Sequence, residues 1–354
     1  MTTPPALSGS DLPHARNARH ARTTPQASTA QAPAEAADSS GPRFLFIVGA
    51  VAAGMVVPVQ ARLNSELSHR LDDGIAAAAL NFTGGLILTT VLVVCFPRRR
   101  RALQTLATAV RQRRLPLRYL FAGVFGGTLA LAQSTAALIT GIAVFTMSVI
   151  AGQTLSGLIV DARGIGGGLK QRPDRRRLIG AAVVLVGALI SAVPGLSSAP
   201  TPGEVLLPAL VALGAGFLLG LQQALNGATG AAAGSPLAAT WVSFCAGAIF
   251  LALAWGIKAI IQGVGGHPLP TDWWIYLGGL CGVLFIGASA FLVRRIGVLL
   301  LTMALIAGQL ASSIALDLLI PSGSRSPGTL TVVGAILTFA AVWIASRRPH
   351  DEST

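Results

Sequence analysis

Charged side chains are scarce in this sequence of 354 residues, of which only 11% are Asp, Glu, Lys or Arg. An ordinary soluble domain carries about 25%, so the composition excludes a typical soluble protein. Cysteine is also rare. The three cysteines, Cys95, Cys245 and Cys281, have no metal-ligand spacing, and an odd number of them does not make a disulfide framework. The five histidines form no cluster, and no Ser, His and Asp set can be assigned. We therefore expect no enzyme, no metal and no cofactor.

Apolar residues are abundant instead. They make up 53% of the chain, and the mean hydropathy is +0.68, so most of the chain is expected to lie in lipid. The net charge of +13 comes largely from arginine clusters between long apolar runs, such as Arg98 to Arg101 and Arg172 to Arg177. No nucleic-acid-binding motif accompanies these clusters. We interpret them as marks of cytoplasmic loops.

The apolar part of the chain divides into two halves. Residues 1–42 are predicted to be a disordered cytoplasmic tail, because they are rich in Ala, Pro, Ser and Thr. We predict two five-helix repeats at 43–195 and 204–347, an external linker at 196–203, and a cytoplasmic tail at 348–354. A membrane-spanning helix needs about twenty apolar residues. Ten stretches satisfy this, near residues 44–67, 75–96, 117–139, 142–161, 178–195, 204–228, 236–260, 272–293, 297–320 and 328–346.

Loop charges predict the orientation of these spans in the cytoplasmic (inner) membrane. The loop at 97–116 carries seven arginines, and the loop at 162–177 is also strongly basic. Both lie on the cytoplasmic side if both termini do. This arrangement requires two spans between Ala122 and Ile159, joined by a hairpin at Thr140 and Gly141. The tryptophans near the ends of the seventh and eighth spans then lie at the outer interface (Trp255, Trp273 and Trp274).

An internal repeat relates the two halves. Residues 146–161 read TMSVIAGQTLSGLIVD, and residues 302–317, which lie 156 positions later, read TMALIAGQLASSIALD. Earlier in each half, QARLN at 60–64 matches QQALN at 222–226 with an offset of 162. Because each half has five spans, the second half would cross the membrane in the opposite sense. Such an inverted repeat places a binding site between the halves, near the middle of the membrane.

The doubled Q-x-x-x-N and AGQ motifs resemble those of the drug/metabolite transporter superfamily, and most closely its YdcZ-like branch, which is related to the EamA-like proteins. The likeness covers about residues 43–347. It implies an all-helical carrier of ten transmembrane helices that exports small metabolites or drugs from the cytoplasm. No glutamate lies at the centre of the first span, so the coupling carboxylate of small multidrug carriers is missing.

Polar residues at matching places in the two halves are the candidate substrate-binding residues. Gln153 and Gln309 are predicted to lie near the middle of the membrane, each beside a glycine. Two amide pairs, four residues apart on one helix face, are predicted on either side of that plane. Thr146 and Thr302 would extend the polar lining, unless they bond to their own helix. The two amide pairs, which are Gln60 with Asn64 and Gln222 with Asn226, would either form two gating layers or hold helices together by hydrogen bonds.

Three carboxylates are candidates for proton coupling. Asp317 and Asp161 end the two copies of the repeated phrase, and Glu66 lies four residues after Arg62 in the first span. An intramembrane carboxylate is a functional hypothesis by default. The alternatives are an ion pair with Arg325 or an interfacial position for Asp317, a loop cap by Asp161, and a local helix pair for Glu66.

We therefore predict a secondary transporter that works by alternating access on a small-molecule substrate. The expected partners are the lipid bilayer and that substrate, with no nucleic acid, and a homodimer is left open. Two alternatives remain at this stage. One is a membrane scaffold in which the amides only pack helices, and the other is a passive channel.

Overall fold

The computed structural model describes residues 40–166, 170, 174–196, 202–263, 267–319 and 329–346, though not the side chains of 40–42, 134–143, 191–196, 202–205, 317 and 331. Regular structure in these residues is entirely helical. The helices are α1 (Ser40–Leu71), α2 (Gly74–Cys95), α3 (Pro97–Arg111), α4 (Ala122–Arg163), α5 (Arg175–Leu196), α6 (Pro202–Ala233), α7 (Pro236–Gln262), α8 (Gly278–Ile296), α9 (Val298–Leu319) and α10 (Thr329–Ser346). Short 3-10 helices, Leu117–Phe121 and Trp273–Leu277, precede α4 and α8.

Seven helical stretches of the described residues are long and apolar enough to cross a membrane: Arg43–Leu71, Gly74–Cys95, Val144–Arg163, Leu206–Ala233, Pro236–Gln262, Trp273–Ile296 and Val298–Leu316. A shorter apolar helix follows at Val332–Ser346. The prediction of an all-helical polytopic membrane protein is therefore confirmed. The count of ten spans is not, because the third, fifth and tenth predicted spans are not among the seven.

The first arginine-rich loop contains a helix that the sequence analysis did not predict. α3 carries Arg98 to Arg101 in its first turns and buries its Ala102, Leu106 and Ala109. These three side chains pack in a cluster with alanines at the end of α6 and the start of α7. Ala102, Leu106 and Ala109 lie three or four positions apart, on one face of the helix. α3 is therefore amphipathic and lies against the bundle.

The hairpin predicted at Thr140 and Gly141 does not interrupt α4, which is helical from Ala122 to Arg163. The Thr-Gly pair contains no residue that must end a helix. α4 nevertheless cannot be straight. Gly126 meets Gln222 of α6, and Ser156 meets Gly220 of the same helix, whereas thirty residues of straight helix would separate Gly126 from Ser156 by about 45 Å. Both ends of α4 therefore lie side by side against α6.

Glycine contacts in the two halves occur in matched pairs. Gly54 of α1 packs on the carbonyl of Leu305 in α9, and its counterpart Gly216 of α6 packs on the carbonyl of Val149 in α4. Gly308 packs on the backbone of α1 at Val51 and Met55. Its counterpart Gly152 packs on α6 at Leu213 and Phe217. These glycines allow close backbone approach, and residues of equal offset meet in both halves.

The counterpart helices α2 and α7 contact each other directly. Gly85 meets the ring of Phe244, and Gly247 meets the ring of Phe82. The two rings lie 5.4 Å apart between centroids. As residue numbers rise along α2 they fall along α7, so the two helices are antiparallel at this contact.

Burial divides the bundle into a core and an apolar outer surface. α9 lies at the centre, and its residues 299–307 are at most 1% exposed. On the outside, α7 exposes Ile249, Leu253, Ile257 and Ile260. These exposed residues lie three or four positions apart and form one apolar face, as expected of a helix that faces lipid.

Candidate functional site

A buried layer of amides lies on the second half of α6. Gln222 and Asn226 are 2% and 4% exposed. Each donates a hydrogen bond to the Oγ of Ser243 in α7, over 3.2 and 3.3 Å. The pair predicted from the sequence therefore shares one helix face and points at α7. Gly126 of α4 lies against the Gln222 amide, where a Cβ would come within 2.9 Å of its Nε2 and displace the side chain.

The equivalent layer in the first half has the same plan. Asn64 of α1 accepts a hydrogen bond of 2.6 Å from Asn81 of α2, and Asn81 is the counterpart of Ser243. Gly282 of α8 lies against the amide of Gln60, as Gly126 lies against that of Gln222. Gln60 and Asn64 are only partly buried. The first amide layer is thus built from residues of α1, α2 and α8. The second is built from the matching residues of their counterparts, α6, α7 and α4.

The central glutamines differ in burial. Gln153 is 3% exposed, whereas Gln309 is partly buried, and the Oε1 of Gln153 has no hydrogen-bond partner among the described residues. Thr302 is fully buried and donates a hydrogen bond of 3.3 Å to the Oε1 of Gln223 in α6. Thr146 is exposed. The predicted threonine lining thus contains Thr302 in the interior, while the side chain of Thr146 lies at the surface.

Several buried polar atoms in this region have no hydrogen-bond partner among the described residues. On α6 they are the Oε1 of Gln222, the Nε2 of Gln223 and the Oγ1 of Thr229. On α4 they are the Oε1 of Gln153 and the Oγ of Ser156. Burying a polar group without a partner costs free energy, most of all in lipid. Five of the eight such atoms among the described residues lie on these two contacting helices, and the others belong to Asn81, Arg177 and Ser289.

Asp161 is a structural junction between three helices. It is 6% exposed. One carboxylate oxygen accepts from the backbone N–H of Val298 (2.8 Å), and the other accepts from that of Leu299 (3.1 Å) and from Arg177 (3.1 Å). The side chain of α4 therefore caps the N-terminus of α9 and pairs with a buried arginine of α5. The capped element is therefore the start of α9, whereas the alternative taken from the sequence was a cap of the loop that follows Asp161.

The other two carboxylates considered for coupling have different surroundings. Glu66 forms an ion pair of 2.7 Å with Arg70, four residues later in α1, and Arg70 also contacts Asp272 and lies over the ring of Trp274. The backbone of Asp317 belongs to α9. Its side chain, and Arg325, lie outside the described residues.

A second buried ion pair joins the α1–α2 turn to α7. Asp73 caps α2 through the N–H groups of Ile75 and Ala76, each 3.0 Å from Oδ1. Its other oxygen lies 2.8 Å from the Nζ of Lys258 and accepts from Trp255. Burial disfavours the charge, but the Lys258 bond and the two N–H groups outweigh it, so the pKa of Asp73 lies below its ordinary value.

A wide cavity of about 830 Å³ opens where α3 crosses the end of α6. We name it the arginine vestibule, because three arginines from separate segments line it together with polar side chains. Ala228, which also lines it, lies two residues beyond Asn226 in α6, about 3 Å further along the helix axis and on a different side of the helix. The residues that characterise it are Arg101, Arg114, Arg294, Gln104, Gln112 and Tyr119.

Residues 45–190 and 207–344 match the protein family described as "Putative inner membrane exporter, YdcZ". This chain belongs to the YdcZ family. Each half of the chain carries one match, in agreement with two fused repeats. The family is one of multi-pass inner-membrane exporters and is no enzyme class, so the chain is a membrane protein of the transporter kind.

Solved structures agree on the fold. Sixteen solved chains match this one. One of them, described only as "Crystal structure of protein", has a TM-score of 0.63 and 16% sequence identity, over 86% of this chain and 96% of that chain. At this identity the likeness extends to the fold alone. No curated protein matches the chain.

Some functional residues were not found from the sequence. Ser243 and Asn81 are the partners of the amide pairs, and their equal offset of 162 was the signal that could have found them. Gln223 and Arg177 could not be found this way. The counterpart of Gln223 is Ala61, and the partner of Arg177 depends on how α5 packs.

Proposed function

We propose that this protein is a secondary transporter that exports small solutes from the cytoplasm by alternating access between two inverted five-span halves. Family membership supports the exporter. The solute, the mechanism and the inverted halves are our proposal.

Two features of the packing support the inverted halves. Residues of equal offset make equal contacts, as at Gly54 and Gly216. The counterparts α2 and α7 meet in antiparallel orientation at Phe82 and Phe244. A two-fold axis in the membrane plane relates antiparallel helices, whereas an axis along the membrane normal relates parallel ones.

The same symmetry bears on α4. Its Gly141 is the counterpart of Gly297, which has a φ of 83° and is the only residue between α8 and α9. We propose that α4 holds two membrane crossings and that the chain reverses between them, since both its ends lie against α6.

The observation that carries the transport proposal is the set of unpartnered buried polar atoms on α4 and α6. In a scaffold, the amides would bond to neighbouring helices, and leaving the polar atoms of Gln153, Ser156 and Thr229 buried without partners would only reduce stability. In a transporter, these atoms meet solute and water during the cycle. Hydrogen bonds to a polar solute would then offset the free-energy cost of burying these polar atoms.

The test compares solutes in the medium of cells that make the wild-type chain, the Gln153→Leu variant or no chain. Leucine keeps most of the volume of glutamine and removes the amide. We expect at least one solute to accumulate outside wild-type cells, and Gln153→Leu to lower its export about tenfold, since a hydrogen bond from a buried group is worth about 1–3 kcal/mol. The amount of folded protein in the membrane should stay near that of wild type.

Thr154→Val is the matched control. Thr154 follows Gln153 in α4 and is equally buried, but its hydroxyl donates to the carbonyl of Ile150 in its own helix. This variant should export normally. The transport proposal fails if no solute differs between wild-type cells and cells without the chain, or if Gln153→Leu exports as well as Thr154→Val does.

A further inference from the structure

The arginine vestibule has an unusual balance of charge. Arg101 comes from α3, Arg114 from the segment after it, and Arg294 from the end of α8. No aspartate or glutamate is among the residues that line the cavity. The guanidinium groups of these three arginines form no ion pair or hydrogen bond with other described residues.

Other arginines of this chain have structural partners, which the three vestibule arginines lack among the described residues. Arg99 and Arg100 donate to the carbonyls of Leu92 and Val94 at the end of α2, where cations complement the helix dipole. Arg177 pairs with Asp161. A topological signal needs positive charge in the loop, but it does not need arginines from three segments around one cavity.

Arginine is suited to one class of ligand. Its planar guanidinium donates two parallel hydrogen bonds to a carboxylate or a phosphate. Three cations without counter-charges also produce a positive potential in a concave site, which raises the local concentration of anions. The vestibule adds neutral donors beside the arginines, namely the amides of Gln104 and Gln112 and the hydroxyl of Tyr119.

We propose that the arginine vestibule is the entry site of the substrate and that the substrate is a small anion, held by its carboxylate or phosphate group. This inference rests on the proposed export function and names its substrate class. The vestibule lies close to the level of the amide layer along α6, because Ala228 of the vestibule wall is about 3 Å along the helix axis from Asn226.

The anionic class also accounts for a feature of α1. The only carboxylate of this helix, Glu66, is near its end and pairs with Arg70, so the helix offers no central group to carry a proton. The inside of a cell membrane is negative, and an anion that leaves the cytoplasm moves down this potential. Export of an anion therefore needs no proton-coupling carboxylate in α1.

The binding test uses the full chain in nanodiscs of phosphatidylcholine. Glutarate and phenyl phosphate serve as anionic probes, and glutaramide and 1,5-diaminopentane serve as neutral and cationic analogues of glutarate. We expect at least one anionic probe to bind, and the two analogues to bind at least about tenfold more weakly. If neither anion binds, or if the analogues bind equally well, the proposal is wrong.

Variants locate the binding. Arg101→Gln, Arg114→Gln and Arg294→Gln should each weaken anion binding about tenfold, since each removes a charged hydrogen bond to the anion. Arg111→Gln is the matched control. It removes the same charge from α3 and is as exposed as the three vestibule arginines, but Arg111 does not line the cavity. If Arg111→Gln weakens anion binding equally, the effect comes from the general positive charge of the loop, and the assignment of the binding site to the vestibule is overturned. Each variant leaves other arginines in its loop, so the orientation should be kept.

Anionic lipid is the other source of the same chemistry. Nanodiscs that contain phosphatidylglycerol distinguish the two sources. If the lipid headgroup is the ligand, phosphatidylglycerol raises the melting temperature of the protein through the three arginines and displaces the soluble anions, and the substrate assignment is overturned. If a soluble anion is the ligand, it binds in both kinds of nanodisc.

The charge of the exported solutes separates this proposal from the proposed function. If the medium of producing cells gains anions, and Arg294→Gln lowers their export, both stand. A gain of neutral or cationic solutes would leave the export function standing and overturn the anionic class. No gain of any solute would overturn the export function itself.

Discussion

Asp161 illustrates at the residue scale how the contacts of the protein itself can hold a carboxylate in a membrane helix. Its two oxygens receive two backbone N–H groups of α9 and the guanidinium of Arg177. Every partner of the charge comes from another helix. The aspartate that ends the repeated phrase in the first half is therefore explained by helix capping, and a proton on it would weaken the junction of α4, α5 and α9.

We expect Asp161→Ala to lower the free energy of unfolding by about 3–5 kcal/mol, because it leaves the charge of Arg177 buried without a partner. The double variant Asp161→Ala/Arg177→Met should lose much less than the sum of the single losses. Thermal denaturation of the purified variants in detergent measures these changes in the free energy of unfolding. Arg163→Gln, at the exposed end of the same helix, should be neutral. An Asp161→Asn variant that stays fully stable but loses a pH response of transport would make this residue a coupling group.

At the scale of elements, the crossings of α1 with α9 and of α6 with α4 depend on glycine. A methyl group at Gly216 would strike the carbonyl of Val149, and one at Gly54 would strike that of Leu305. Since backbone cannot move aside as a side chain can, the helices must separate. Gly214 lies two residues from Gly216 in α6, and a methyl group there would meet open space.

Gly216→Ala and Gly54→Ala should therefore each destabilise the protein by about 1–3 kcal/mol, the usual cost of overpacking. Gly214→Ala should be neutral or should stabilise by about 0.5–1 kcal/mol, because alanine favours the helix. Melting temperatures of the three purified variants provide the measurement. Equal losses at Gly54 and Gly216 are expected from the repeat, and a large loss at Gly214 would contradict the packing described here.

The sequence was a better guide to what the two halves share than to what distinguishes them. The amide pairs and the repeated phrase have offsets of 162 and 156, and both offsets recur in the contacts. α3 has no helical counterpart in the second half, where residues 263 and 267–272 of the corresponding segment are not helical, so no repeat predicts it. The arginine vestibule depends on α3 and was missed for that reason. Arginines in a loop also have a sufficient topological explanation.

The number of times α4 crosses the membrane determines the topology of the whole molecule. If α4 crosses twice, the segment after α3 and the segment after α4 lie on the same side, and both arginine-rich loops can be cytoplasmic. If it crosses once, they lie on opposite sides, and one strongly basic loop is external, against the usual charge bias. Contacts of both ends of α4 with the same stretch of α6 favour two crossings.

Single cysteines in a chain without Cys95, Cys245 and Cys281 test this topology. We place them at the exposed positions Gln112, Lys170 and His267 and label intact cells with an impermeant thiol reagent. Gln112→Cys and Lys170→Cys should react only after the membrane is opened, because both lie in the cytoplasm if α4 crosses twice. His267→Cys, between α7 and α8, should react from outside and is the control for reagent access. Labelling of Lys170→Cys from outside, with Gln112→Cys protected, would mean that α4 crosses once and that the halves are not inverted copies of five spans.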